Sequence, residues 1–302
     1  MSIVFFGDHF VDEADARVPI TTHALHYGTA VFEGIRSYGD GMTAAVFRPH
    51  EHFERLLRNA AWLNMPVPWD AAKLTALTLE LLTRNGYRDD RYIRPLVYKT
   101  STTIGAGLPD GEALAIVAVS MPRGAVLRPA ATAGFSRWHR FPATTCPTGA
   151  KITGLYVNSS LARADVLARG FAQAITLNQR GEVAEGYGAN LFAVRGARVL
   201  TPPADADILP GITRSTLLTY LRSQADLTVS EAPLTRDELA RVDEVFLCGT
   251  GMEIQPIGSL EGVTIGDGSG SGPVVSRVAA WYRSVVTGAE AADPAWRVPV
   301  PR

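Results

Sequence analysis

AQAITLNQRGEVAEGYGANLFAVRGARVLTPP, residues 172–203, contains four short strand-like runs: AQAITLN, EVAEGY, NLFAVR and RVLTPP. Only turn residues such as Gly181, Gly188 and Gly196 separate them, so no helix fits between neighbours. Strands that follow one another directly argue for an α+β architecture, because a doubly wound sheet would place a helix in each interval. Further strands are expected in AGFSRW (133–138), LTVSEAP (227–233) and DEVFLCG (243–249), and helices near 156–170, 212–223, 235–241 and 273–287. Toward the amino terminus the pattern changes. IVFFGDHFV (3–11) reads as two strands about a turn at Gly7 and Asp8, and AAVFR (44–48) as another strand. PHEHFERLLRNAAWLNM (49–65) places Phe53, Leu56, Leu57, Ala60 and Leu63 on one helical face and stops at the Pro66 and Pro68 stretch. A second helix over 70–85 and the strands YIRPLVY and ALAIVAVSM complete an α/β unit. MPRGAVLRPA (121–130) then reads as a linker. The expectation is a small amino-terminal domain over 1–121, a linker loop over 122–130 and a larger domain over 131–302.

The composition is that of a chain able to bury a full core, with 302 residues, 46% apolar and 20% charged. Formal net charge is −1, and no basic tract marks it for nucleic acid or an anionic membrane, so small molecules are the expected partners. MSIVFFGDHFVDEADARV places acids after a short apolar run without a basic region, unlike a secretory signal, and no apolar run reaches membrane-spanning length. Cys146 and Cys248 lie far apart without metal-ligand spacing and are expected to be buried free thiols. A cytoplasmic location is the expectation that follows.

Basic residues are distributed unevenly, with 26 Arg against three Lys, namely Lys73, Lys99 and Lys151. A guanidinium cannot lose its proton and so cannot form an imine with an aldehyde, which leaves few candidates for amine chemistry. Lys73 belongs to the helical pattern AAKLTALTLELLTRNG, and Lys99 ends the strand-like YIRPLVYK. Lys151 lies in TTCPTGAKITGLYVNSS, among small and apolar residues and without an acid in that run. Such a setting disfavours the ammonium and favours an amine nucleophile or a Schiff base. The plain alternative is a snorkelling lysine on a loop. Phosphate handling has two candidates, since neither GxxxxGK[ST] nor GxGxxG after a strand is present. In DILPGITRSTLLTYL a Pro-Gly turn opens a helix, so amides near Gly211, Ile212 and Thr213 can face an anion. In DEVFLCGTGME a strand runs into Gly249, Thr250 and Gly251. A helix cap and a tight turn are the ordinary readings of each segment taken alone.

Together, HALHYGTAVFEGIRSY, HFERL, YIRPL, the Lys151-x4-Tyr156 spacing, EVAEGYGANLF, LPGITR and DEVFLCGTGMEIQPI occur in a recognisable order. The chain resembles the branched-chain amino acid aminotransferases, a fold-type IV family dependent on pyridoxal 5′-phosphate (PLP), from about residue 3 to 285. That resemblance implies a small α/β domain and a larger pseudo-barrel domain, a PLP/PMP ping-pong cycle with glutamate and 2-oxoglutarate as one pair, and a homodimer at least. It implies that Lys151 holds the cofactor and moves the proton, that Glu185 pairs with the pyridine nitrogen, and that Tyr156 bonds the ring hydroxyl. Arg55, Ile212, Thr213 and Thr250 are implied for the phosphate. On the substrate side it implies Tyr92 with Thr250 and Gly251 for the α-carboxylate, and Arg94 for the distal carboxylate of glutamate. Tyr27, Phe32, Arg36 and Met252 are implied as the pocket lining. Two departures bear on substrate range: Ala189 stands where many members have an acid in EGxGEN, and Val126 where a tyrosine commonly follows Gly-Ala. Rival readings are an aminodeoxychorismate-type lyase, which need not keep Arg36 and YIR at 92–94, and a D-amino acid transaminase, whose RxHxH-like trap does not follow Arg94. An R-selective amine transaminase differs by only a few pocket residues, and a PLP-binding relative without activity would be expected to lack Lys151 or Glu185.

Overall fold

A computed structural model describes residues 2–302 and divides the chain into two compact units. The first comprises the described residues up to Arg123, Ala150–Leu155 and Val285–Arg302, and the second Gly124–Gly149 and Tyr156–Ser284. This partition differs from the continuous split expected at 121 and 131, because it returns six central residues and the carboxyl-terminal segment to the first unit. Hydrogen bonding supplies the reason. Ile152 bridges Val31, Phe32 N–H donates to Lys151 O at 3.1 Å, and Thr153 Oγ1 donates to Gly28 O at 2.8 Å. The final strand Arg297–Pro299 pairs with the strand Ala44–Phe47.

In the first unit the strands are β1 (Ile3–Gly7), β2 (His9–Asp12), β3 (Ala30–Phe32), β4 (Ile35–Gly39), β5 (Ala44–Phe47), β6 (Arg91–Lys99) and β7 (Glu112–Ser120). With the final strand they form one antiparallel sheet in the order final strand, β5, β4, β6, β7, β1, β2, and β3 also joins β6. The helices are α1 (His23–Tyr27), α2 (Pro49–Ala61) and α3 (Ala71–Arg84). The apolar face read for α2 is observed: Phe53, Leu56 and Ala60 are fully buried and join Leu74 and Leu81 of α3 and Val31, Ile35 and Ile93 of the sheet in one core. α3 begins where Asp70 accepts the Lys73 amide at 2.7 Å, which satisfies one of the free donors at a helix start. β3, β4 and α1 fall within HALHYGTAVFEGIRSY, whose short apolar runs carry no clear period in sequence.

The second unit contains β8 (Ala131–Phe135), β9 (Gln173–Leu177), β10 (Val183–Gly186), β11 (Asn190–Arg195), β12 (Arg198–Thr201), β13 (Thr228–Glu231), β14 (Glu244–Gly249), β15 (Glu253–Leu260) and β16 (Val263–Thr264). Their order is β10, β9, β8, β15, β14, β11, β12, β13, with β16 on β15. Helices are α4 (Tyr156–Ala168), α5 (Ile212–Ser223), α6 (Arg236–Leu239) and α7 (Pro273–Thr287), the last running on into the first unit from Val285. Direct strand succession holds for β9 through β12, as the α+β reading requires. Alternate residues of β11 and β14, including Leu191, Ala193, Val245 and Leu247, bury in one apolar cluster. Ala189 belongs to that cluster at 6% exposure, so an acid at this position would enter apolar surroundings.

α7 is started by an acid from the sheet. The Glu244 carboxylate, 8% exposed, accepts the amides of Val274 at 3.1 Å and Val275 at 2.8 Å, complementing the positive helix end. Glu244→Ala leaves two amides unpaired and is expected to cost about 1 to 2 kcal/mol. Thermal melting should register a fall of several degrees, whereas an unchanged melting temperature would mean that water replaces the carboxylate at no cost.

Candidate active site

In the first unit the chemistry gathers around the segment that carries Lys151. Gly154 N–H donates to Gly28 O at 3.1 Å, and a Cβ on Gly28, whose φ is 63°, would lie 2.5 Å from the Gly154 Cα. Only glycine allows that approach, so Gly28 fixes the seat of the lysine segment. The Lys151 Nζ lies 4.7 Å from the centroid of the Phe32 ring, whose other cationic neighbour is Arg94, with Cζ at 4.5 Å. Arg94 Nη2 donates to the Tyr92 hydroxyl at 2.9 Å. Gly34 makes room for that hydroxyl, since a Cβ there would sit 2.0 Å from it. Lys151, Phe32, Tyr92 and Arg94 therefore form one cluster.

Arg55 stands on α2 with 8% exposure and is clamped by Glu33, its Nε 2.6 Å from Oε1 and its Nη2 2.9 Å from Oε2. Burial lowers the proton affinity of Lys151, to a pKa of about 8, with Glu33 opposing and Arg55 assisting the shift. The residue keeps partial solvent exposure. The other lysines are occupied differently. Lys99 is fully buried with its ammonium on Asn64 O at 2.7 Å, while Lys73 is exposed at the start of α3. Arg36 departs from the expectation that it lines a pocket: it is 1% exposed and donates from Nη2 to Met121 O at 2.5 Å, which makes it part of the frame. Tyr27 stands apart from the lysine cluster in its bonding, its hydroxyl accepting the Gly105 amide at 2.9 Å.

In the second unit Glu185 lies on β10 at 6% exposure. Its Oε1 is 3.2 Å from Arg140 Nε, and its Oε2 accepts Asn190 Nδ2 at 3.0 Å and the Leu209 amide at 3.2 Å. Asn190 Nδ2 also donates to Leu209 O at 2.8 Å, and a Cβ on Gly211 would meet Asn190 Oδ1 at 2.0 Å. Asn190 thus ties the carboxylate to the start of α5, where Gly211 is the N-cap and Ile212 and Thr213 form the first turn. Thr250, Gly251 and Met252 make the turn between β14 and β15, whose Gly249 approaches Gly188 and Ala189. Tyr156 opens α4. Val126 is 47% exposed. The thiols have no part in this chemistry: Cys248 is fully buried and pushed up to about 12 by burial, and Cys146 is half-buried rather than buried as expected.

Glu33, His52, Arg140 and Asn190 were not singled out by sequence reasoning. HFERL held the clue for His52, because it lies three residues before Arg55 on one helical face and the two therefore share a target. Arg140 carried no local signal, being one arginine among 26.

Comparison with known proteins accords with this arrangement. The sequence model of amino-transferase class IV proteins matches residues 30–260. A probable branched-chain-amino-acid aminotransferase of Aquifex aeolicus is 36% identical over 99% of this chain and 97% of its own. The Escherichia coli (strain K12) branched-chain-amino-acid aminotransferase is 35% identical over 94% and 93%. The crystal structure of the Thermoproteus uzoniensis branched-chain aminotransferase with norvaline superposes with a TM-score of 0.93 at 37% identity, covering 99% of both chains. The chain belongs to the class IV aminotransferases. It is a transaminase with the fold-type IV architecture.

Proposed function

We propose that this enzyme moves an amino group between L-glutamate and a branched aliphatic 2-oxo acid, using PLP held by Lys151. The observation that carries the reading is the Lys151 cluster: an amine whose ammonium is disfavoured by burial, packed on Phe32 beside Tyr92 and Arg94. A related structure reinforces it, since a branched-chain amino acid aminotransferase with a TM-score of 0.92 at 35% identity over 99% of both chains was solved with N-(5′-phosphopyridoxyl)-L-glutamate. The donor set of each unit fits PLP chemically. An amine near neutrality suits an aldehyde, a guanidinium and a helix start suit a phosphate, and a buried carboxylate suits a protonated ring nitrogen.

When bound, PLP supplies a ring that accepts the electrons released from the substrate Cα–H bond. Lys151 Nζ takes up the Cα proton, a task that needs an amine able to shed and regain one. Arg55, the first turn of α5 at Ile212 and Thr213, and Thr250 hold the phosphate. Glu185 holds a proton on the pyridine nitrogen, and Tyr156 donates to the ring hydroxyl oxygen. Tyr92 and the Thr250 and Gly251 amides receive the α-carboxylate, Arg94 receives the distal carboxylate of glutamate, and Phe32, Tyr27 and Met252 bound the apolar side chain. A cytoplasmic homodimer completes the reading. Ile20, Leu25 and Ile104, exposed at 82%, 59% and 62%, supply apolar surface for a second copy, which light scattering would register as a doubled mass.

Arg94→Leu tests the substrate assignment. It removes a charge-assisted contact made by one substrate pair only, so kcat/KM for glutamate and 2-oxoglutarate is expected to fall roughly ten- to hundred-fold. Leucine and its oxo acid should change far less. Equal losses for both pairs would transfer the α-carboxylate or a framework role to Arg94, and no loss with glutamate would favour an amine donor.

A further inference from the structure

Glu33 follows β3 and is fully buried. Its carboxylate is held on two sides, by Arg55 Nε and Nη2 at 2.6 and 2.9 Å and by His52 Nδ1 at 2.7 Å. His52 and Arg55 sit one turn apart on α2, so the helix presents both donors to the same acid. The residue before Glu33 holds the lysine segment through the Phe32 amide on Lys151 O at 3.1 Å. Burial by itself would drive Glu33 toward its neutral form, yet Arg55 and then His52 hold it well below the usual carboxylate range. Burial pushes His52 below its ordinary value, so a neutral ring donates Nδ1–H to an oxygen that can only accept. The result is a buried negative charge held by one guanidinium and one neutral imidazole.

We propose that Glu33 is a positioning residue for amino transfer: it orients Arg55 for the cofactor phosphate and, next in sequence to the residue that holds the Lys151 segment, places a buried negative charge at that end of the site. The inference rests on the roles of Lys151 and Arg55 proposed above. Being fully buried, Glu33 does not touch cofactor or substrate and acts through its neighbours. Its two-point grip on Nε and Nη2 turns the guanidinium edge bearing Nη1 away from the carboxylate, which fixes where an anion can be met. Its charge opposes the two guanidiniums facing Lys151: burial, Arg55 and Arg94 disfavour a proton on Nζ, whereas Glu33 and Tyr92 favour it. His52 holds the second carboxylate oxygen and keeps the acid from swinging.

Glu33→Gln keeps the shape and removes the charge. In the holoenzyme, the midpoint of the pH-dependent visible absorption of the cofactor is expected to move to lower pH by about one unit or more, because a cationic nitrogen at Lys151 loses an anion that favours it. The preference for PLP over pyridoxal, which lacks the phosphate, should shrink roughly tenfold as Arg55 loses its orientation. A purely structural acid would move neither quantity. His52→Leu and His52→Asn give a second measurement should Glu33→Gln fold poorly. Leu should weaken the PLP preference, and Asn, whose amide can donate in place of Nδ1, should restore it. A folded Glu33→Gln enzyme with the cofactor trapped on Lys151 and both quantities unchanged would overturn the inference alone, as would equal PLP preference in the two His52 variants. Absence of a trapped cofactor on Lys151 in the unaltered enzyme would instead overturn the reading beneath it.

Discussion

Lys151→Ala is expected to end borohydride-stable attachment of the cofactor and to reduce kcat by about 10⁴-fold or more, since both the covalent anchor and the proton carrier are lost. Among the described residues no other lysine is placed to substitute. Lys99 keeps its ammonium on Asn64 O in the interior, and Lys73 lies exposed at the start of α3. The 26 arginines do not form imines. Purified wild-type protein should absorb in the visible and bleach when an L-amino donor is added without an acceptor. The variant should do neither, and peptide mapping after reduction should find no pyridoxyl label. A label on Lys73 or Lys99 would relocate the cofactor.

Glu185→Gln separates chemistry from binding. The wild-type carboxylate is aimed by three donors, Arg140, Asn190 and the Leu209 amide, and glutamine can occupy the same space while offering one carbonyl oxygen. On the role proposed for Glu185, its loss of charge removes the partner of a protonated ring nitrogen, so kcat is expected to fall by roughly 10²- to 10³-fold while PLP occupancy changes little. Single-turnover rates and cofactor titration on the same preparation distinguish the two effects. A variant with wild-type kcat would remove Glu185 from the mechanism.

Much of this arrangement was legible because local rules and the fold agree. The α2 face at Phe53, Leu56 and Ala60 and the strand succession from β9 to β12 follow from period and turn residues alone. Scarcity made Lys151 conspicuous, and burial in the structure explains its lowered proton affinity. What escaped was non-local. Glu33 meets His52 and Arg55 across 19 and 22 residues, and Arg140 meets Glu185 across more than forty, separations that no periodicity encodes. Arg36 shows the opposite failure, since an arginine in a motif reads as a contact until its burial and its bond to Met121 O show it to be framework. A break in composition cannot reveal that the chain returns to the first unit at Ala150.

That return has a consequence for biosynthesis. The chain crosses between its units at four places, after Arg123, Gly149, Leu155 and Ser284, so neither unit is a contiguous product of translation. When residue 123 leaves the ribosome, Val31 still lacks Ile152 and the edge of β5 still lacks its partner at Arg297–Pro299. An unpaired strand edge of this kind invites pairing with another nascent chain. The first unit therefore begins first and finishes last, and a fragment cut at residue 123 carries an open sheet edge and lacks Lys151.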